Sequence, residues 1–269
     1  MRSLVAALAA LAVSLVVGIV PAGAITNGQP DNGRHPYVGI LITFDAQTGF
    51  FSACSGSLLT EEVFLTAGHC TDGAELAWVW FDEVWPATLA SADAIGTPRT
   101  YPGFCLGCGP TGITGDVGVV TFTAVPGVLP TTYASLPTAG AVDPLKNKTA
   151  IDFVGYGVTF QAQIPGSQLP PGPPPPFQRW DGLGMRLFAP SEIHSNNHKL
   201  GDQFLKLAMN PGGGSGGLCF GDSGGPILLA GTNTVLGVNS FVNNWNCAGI
   251  GYAQRVDLPP ILAWINSHL

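Results

Sequence analysis

The frequency of backbone breakers limits this chain more than any other feature. Thirty-seven glycines and 23 prolines are spread through 269 residues. Glycine supplies the positive φ that turns need, and proline cannot donate to a helix or a central sheet. With only 10% charged residues, this predicts many short strands joined by turns rather than long helices. The length suits one large all-β domain or two small ones.

Apolar runs between the breakers read as strands. Tyr37 to Phe44 reads as a buried strand with Phe51 to Leu59 as its hairpin partner, and Val63 to Ala67 as another. Leu76 to Ala90 holds Trp78, Trp80, Phe81 and Trp85 around Asp82 and Glu83, and reads as an amphipathic hairpin packing its tryptophans, in preference to a sugar-binding strip. Phe204 to Met209 and Thr234 to Val242 are further strands. Ile261, Leu262 and Ile265 stand at helical spacing within a closing helix over Leu258 to Leu269.

The start reads as a targeting segment. Arg2 is followed by apolar Leu4 to Val20 and then Pro21-Ala22-Gly23-Ala24, a small-x-small cleavage site. Residues 1–24 are therefore expected to be a signal peptide. The expected product is a secreted chain that starts at Ile25 and keeps no stable membrane anchor. Cleavage takes Arg2 and no acid, leaving nine Lys and Arg against 17 Asp and Glu. That balance argues against nucleic acid as a partner. Six cysteines in an exported chain invite pairing, and spacing alone leaves the connectivity open.

The chemistry concentrates in Cys219-Phe220-Gly221-Asp222-Ser223-Gly224-Gly225-Pro226. Flanking glycines let a serine hydroxyl project into a cleft, and the N–H groups of Gly221 and Ser223 are placed to meet the oxyanion of acyl transfer. Such a serine needs a base, and the base needs an orienting carboxylate. Thr66-Ala67-Gly68-His69-Cys70 offers His69 at a strand end, and Gly115-Asp116-Val117-Gly118-Val119-Val120 offers Asp116 at the head of an apolar run. Asp82 and Asp93 are weaker rivals, since neither opens such a run after a glycine. His35, His194, His198 and His268 have no comparable context and read as ordinary, without a metal role.

These motifs, in the order His, Asp, Ser, resemble the chymotrypsin/trypsin family of serine proteases. Subsidiary matches are Cys54-Ser55-Gly56-Ser57-Leu58-Leu59, against the family's Cys-Gly-Gly-Ser-Leu-Ile, and Ala150 to Gly157, against its Gly-Trp-Gly strand. The resemblance implies an all-β fold of two antiparallel six-stranded barrels with a C-terminal helix. The first barrel is expected over about 25–140, the second over about 141–257 and the helix over about 258–269. It implies His69, Asp116 and Ser223 as the triad, disulfides Cys54–Cys70 and Cys219–Cys247, and an activating ion pair between a freed Ile25 amine and Asp222. Ile25 and Gly28 fit the family's Ile-Val-Gly-Gly terminus, whereas Thr26 and Asn27 depart from it. Cys105 and Cys108 remain as a short local disulfide, since a redox site wants a βαβ setting and zinc wants more ligands.

The substrate pocket is expected from Gly217, Leu218, Ser240, Phe241 and Val242. By the resemblance, Gly217 takes the family's pocket position six before the serine and carries no carboxylate, which speaks against a demand for Lys or Arg, and Val242 stands where the family's deep-pocket members have glycine. Small to medium apolar residues at the cleaved position follow from this. The implied partners are protein or peptide substrates and a protein inhibitor. The implied state is a monomer without cofactor or metal. The competing reading is a catalytically silent protease-like binding or toxin protein, against which the intact His69, Asp116 and Ser223 speak. Two further features stand apart: a proline-rich surface loop over 163–177 and the glycosylation sequon Asn147-Lys148-Thr149.

Overall fold

In a computed structural model, residues 25–26, 28–123, 127–161, 180–195, 202–209, 216–244 and 247–269 are described. The leader at 1–24, the proline-rich loop over 163–177 and His198 lie outside them.

The first barrel uses β1 (Val38–Asp45), β2 (Phe50–Thr60), β3 (Val63–Thr66), β4 (Leu76–Trp80), β5 (Ala94–Thr100) and β6 (Gly118–Thr121). Its strand order β1-β2-β3-β6-β5-β4 closes on itself, and every pairing is antiparallel. The second barrel uses β7 (Ala150–Gly155), β8 (Leu187–Ser195), β9 (Phe204–Met209), β10 (Pro226–Leu229), β11 (Val235–Val242) and β12 (Gly249–Arg255). Its order β8-β7-β10-β11-β12-β9 closes through the β8–β9 pairing. Closure removes exposed sheet edges, which suits a chain too rich in turns to cover an open sheet with helices.

One core fills the first barrel and runs into the junction, where Tyr37, Phe64 and Trp80 pack with Val154, Tyr156 and Val238. A second core inside the other barrel gathers Phe153, Leu187, Leu207, Ile227 and Ile25. The C-terminal helix (Pro259–Asn266) starts with prolines in its first turn, where a missing N–H costs nothing, and buries Ile261 and Ile265 against the first core. Its Trp264 meets Tyr101 edge-on at 5.5 Å. Among the described residues no helix is long and apolar enough to cross a membrane.

One local expectation changes. The stretch after Trp80 does not fold back as a hairpin over Leu76 to Ala90; β4 ends at Trp80 and pairs with β5. The loop between them is tied to the other barrel instead, with Trp85 N–H donating to the Gly184 carbonyl at 2.7 Å and Arg186 N–H to the Glu83 carbonyl at 2.7 Å. Pro86 has no N–H for a returning strand. Trp80 is buried and Trp85 packs on it at 5.8 Å, so the tryptophans are core and junction rather than a recognition strip. The N-terminal segment reaches the other barrel: Gln29–Pro30 pairs with Leu187–Phe188, and the first strand of the first barrel starts at Val38, within the run read as a strand from Tyr37.

All six cysteines are paired, as Cys54–Cys70, Cys105–Cys108 and Cys219–Cys247.

Candidate active site

β3 delivers the chain into a single helical turn, Gly68–Thr71, which carries His69. Cys70 bonds to Cys54 on β2, fixing the turn to the barrel. Asp116 precedes β6 and is fully buried. Its carboxylate holds the histidine twice over. Oδ1 accepts from the His69 backbone N–H at 2.8 Å, and Oδ2 lies 2.9 Å from His69 Nδ1. The second barrel completes the enclosure: Ser240 Oγ donates to Asp116 Oδ2 at 2.5 Å, and Asp116 N–H donates to Gln254 Oε1 at 3.1 Å. Asp93 instead accepts from Phe81 N–H at 2.8 Å, and Asp82 lies in the exposed loop, so neither rival reaches His69.

The electrostatics follow from this enclosure. Burial alone pushes the Asp116 carboxyl up, but His69 and the donated hydrogen bonds outweigh it and hold the group below the usual carboxylate range. Burial likewise pushes His69 down, and the Asp116 charge and hydrogen bond outweigh it, leaving the imidazole above its ordinary value. His69 keeps 26% of its side-chain surface exposed. It is therefore oriented from behind and open in front.

Ser223 and His69 line one cavity of about 570 Å³ together with Gly221, Phe51 and Leu183. Among the described residues the Ser223 hydroxyl makes no hydrogen bond to His69. Such contacts are often loose in an unliganded site and tighten around substrate. Around the serine the N–H groups divide cleanly. Those of Asp222, Gly224 and Gly225 are taken by the carbonyls of Cys219, Asn239 and Asp222. Among the described residues no carbonyl takes the N–H of Gly221 or of Ser223. The Asp222 carbonyl is held from behind by Gly225 N–H at 2.9 Å and Asn239 Nδ2 at 3.1 Å. Carbonyl and N–H point oppositely in a trans peptide, so the Ser223 N–H is turned the other way. Gly221 sits at φ +93°, and a Cβ there would lie 2.7 Å from Leu183 Cδ1.

Asp222 itself is buried beneath this turn. It accepts from Gly157 N–H and Cys219 N–H, each at 2.8 Å, and burial, with no facing cation among the described residues, pushes it up to about 7. Ile25 is buried in the second core, and Thr26 pairs with Gly217 through two backbone hydrogen bonds of 2.9 and 3.0 Å.

On the other side of Ser223 a pocket of about 340 Å³ is lined by Leu218, Ser240, Phe241 and Val242, with Asn243 and Asn244 added. Gly217 does not line it; it is buried against Met209 and bonded to Thr26. Phe241 stacks on Tyr252 at 4.6 Å. Sequence reasoning missed the two asparagines, Phe50 and Phe51 on the opposite cavity, and the supporting groups Ser55, Asn239 and Gln254. Ser55 carried a signal, a hydroxyl beside Cys54 where the resembling pattern has glycine. Cys54, His69 and Cys70 put their heteroatoms close together, but both sulfurs are in the disulfide, which leaves no thiolate for a metal.

Comparisons with known proteins agree with this architecture. A family model described as Trypsin matches residues 176–265. Proproteinase E of Bos taurus is 23% identical over 244 residues, covering 84% of this chain and 87% of its own. The solved structure of HL collagenase superposes with a TM-score of 0.69 at 20% identity, covering 90% of this chain and 97% of that one. The VesB protease of Vibrio cholerae superposes with a TM-score of 0.58 at 17% identity, covering 91% of this chain and 67% of its own.

Proposed function

We propose that this chymotrypsin/trypsin-like serine protease is an exported endopeptidase that cleaves peptide bonds after small or medium apolar residues, with Ser223 as nucleophile, His69 as base and Asp116 as the orienting carboxylate. The observation that carries the reading is a division of labour in one cavity. His69 is held from behind by Asp116, and two N–H groups beside Ser223 are left without a carbonyl partner among the described residues.

The steps follow from those groups. Substrate closes the Ser223–His69 contact. His69 Nε2 takes the hydroxyl proton as Ser223 Oγ attacks the scissile carbonyl. The N–H groups of Gly221 and Ser223 receive the oxyanion. His69 then gives its proton to the leaving amine, and water repeats the sequence on the acyl-enzyme. The apolar 340 Å³ pocket, narrowed by Val242 and without a carboxylate among its described lining residues, supports an uncharged side chain at the cleaved position.

Export would supply the activating cut. An ammonium freed at Ile25 would neutralise Asp222, whose buried carboxylate otherwise costs stability when ionised. The burial of Ile25 and its neighbour's pairing with Gly217, five residues before Asp222, support that assignment.

Intact-mass analysis of secreted protein, with and without a fluorophosphonate probe, tests the reading. An Ile25 start with probe on Ser223 is the expected result. An Ile25 start without labelling would favour a binding protein on a protease fold. A longer start without labelling would replace export-coupled activation by a separate propeptide cut.

A further inference from the structure

Three consecutive N–H groups after β7 reach the turn that carries the serine, two directly and one through a hydroxyl. Val158 N–H donates to the Phe220 carbonyl at 2.8 Å, and Gly157 N–H donates to Asp222 Oδ1 at 2.8 Å. The third, Tyr156 N–H, donates to the Ser55 hydroxyl at 2.9 Å, and that hydroxyl donates in turn to the Gly221 carbonyl at 2.9 Å. Ser55 is fully buried and belongs to the other barrel. Its own N–H donates to the Ser223 carbonyl at 2.8 Å, and its carbonyl accepts from Thr66 Oγ1 at 2.8 Å. The carbonyls on both sides of Asp222 are thus held by one residue.

We propose that the Ser55 hydroxyl is a positioning residue of the oxyanion hole. The inference rests on the catalytic reading of Ser223 given above. Gly221 is the hinge of the hole, because a glycine at φ +93° has other conformations within easy reach. Val158 fixes the peptide before it by holding the Phe220 carbonyl, which turns the Gly221 N–H the opposite way, toward the cleft. The carbonyl of the peptide after it is held from the other barrel, by the Ser55 hydroxyl. With both peptides fixed, the Gly221 donor is oriented before substrate arrives, which is the condition under which such donors act in catalysis. A glycine at this position, as in the pattern Cys-Gly-Gly-Ser that this stretch resembles, has no hydroxyl with which to do this. The support is a property of this chain's own Ser55.

The test uses the secreted enzyme carrying Ser55→Ala or Ser55→Gly. Active sites are counted by fluorophosphonate titration, so that misfolded protein drops out of the comparison. Then kcat and KM on a peptide substrate are measured per titrated site. Affinities for a peptide aldehyde, which forms a tetrahedral adduct, and for the matching unreactive product peptide complete the set. We expect kcat per site to fall about tenfold, a fraction of the ~10²–10³ cost of deleting a donor outright. Aldehyde affinity should fall in parallel, while KM and product affinity stay close to the parent's. Fewer titratable sites with an unchanged kcat per site in both variants would overturn the proposal and leave Ser55 a folding residue. Failure of the parent enzyme to titrate at Ser223 would be a different result, removing the catalytic reading itself.

Discussion

Asp116 and Ser240 meet across the barrel junction, the Ser240 hydroxyl reaching Asp116 Oδ2 at 2.5 Å. The carboxylate that holds His69 from one barrel is itself held from the other. Ser240→Ala leaves a buried carboxylate short of a donor, a loss of about 1–3 kcal/mol, as is usual when a buried polar group is left unpaired. Asp116 then rises from its depressed range, so the variant's deficit is full at neutral pH and shrinks on acidification, where the parent loses the larger contribution. The sign follows from linkage: a carboxylate lowered in the folded state stabilises above its unfolded value and loses that contribution as pH falls. Denaturant midpoints of the variant and parent, followed from neutral pH into the acid range, would show the difference; overlapping curves would refute it.

Asp116→Asn removes the charge that keeps His69 above its ordinary value and offers Nδ1 the wrong partner. Turnover should fall by about 10⁴, and the acidic limb of the kcat/KM profile should move to lower pH. The parent should lose activity as pH drops through the raised His69 value, because a protonated imidazole cannot accept the serine proton. A variant whose acidic limb stays in place would show that some other group sets it.

Gly221→Ala places a Cβ 2.7 Å from Leu183 Cδ1 and 3.0 Å from Gly157 Cα, at a φ unsuited to alanine. Rotating the peptide to relieve this swings its N–H away from the cleft. Turnover should drop by about 10²–10³ with KM little changed. Steady-state kinetics on a chromogenic peptide decide it, and a loss confined to KM would remove the donor role.

Asp222 should give different pH behaviour in two forms of the chain. With Ile25 still in a peptide bond, Asp222 sits at about 7. The folded state then holds a proton that the unfolded state releases near 4, so stability should fall as pH rises between about 4 and 7. In the form cut at Ile25, the ammonium neutralises the carboxylate and the fall should vanish. Thermal melts of a cleavage-blocked chain, of the cut protein and of cleavage-blocked Asp222→Asn separate the cases. A cut form that retains the fall would break the Ile25–Asp222 assignment.

Val242→Gly should deepen the 340 Å³ pocket and move preference toward large aromatic side chains at the cleaved bond. One methylene in such a pocket changes discrimination by about 1–3 kcal/mol, so a shift of about 10–200-fold in relative kcat/KM is expected. Competition between alanyl and phenylalanyl peptide substrates reads it directly.

The two-barrel architecture was legible in the sequence because its breakers and apolar runs favour short strands and its motifs resemble a two-barrel family. His69, Asp116 and Ser223 stood out because each sits in a short motif of fixed chemistry. The supporting residues did not. Gln254 and Asn239 lie inside strands and read there as ordinary polar positions; only the closure of the second barrel points Gln254 at Asp116 and Asn239 at the Asp222 carbonyl. The loop after Trp80 misled because its aromatics suit a hairpin, while its backbone partners are Gly184 and Arg186, about a hundred residues away.

The division of the site between the barrels also bears on the safety of the cell that makes this protein. Asp116 and His69 fold with one barrel and Ser223 with the other, and the hydrogen bonds of Ser55, Ser240 and Gln254 form only when the two meet. On the proposed roles, a chain with a single barrel folded would hold either a base without a nucleophile or a nucleophile without a base. On the same roles, hydrolytic competence would come only once the two barrels meet.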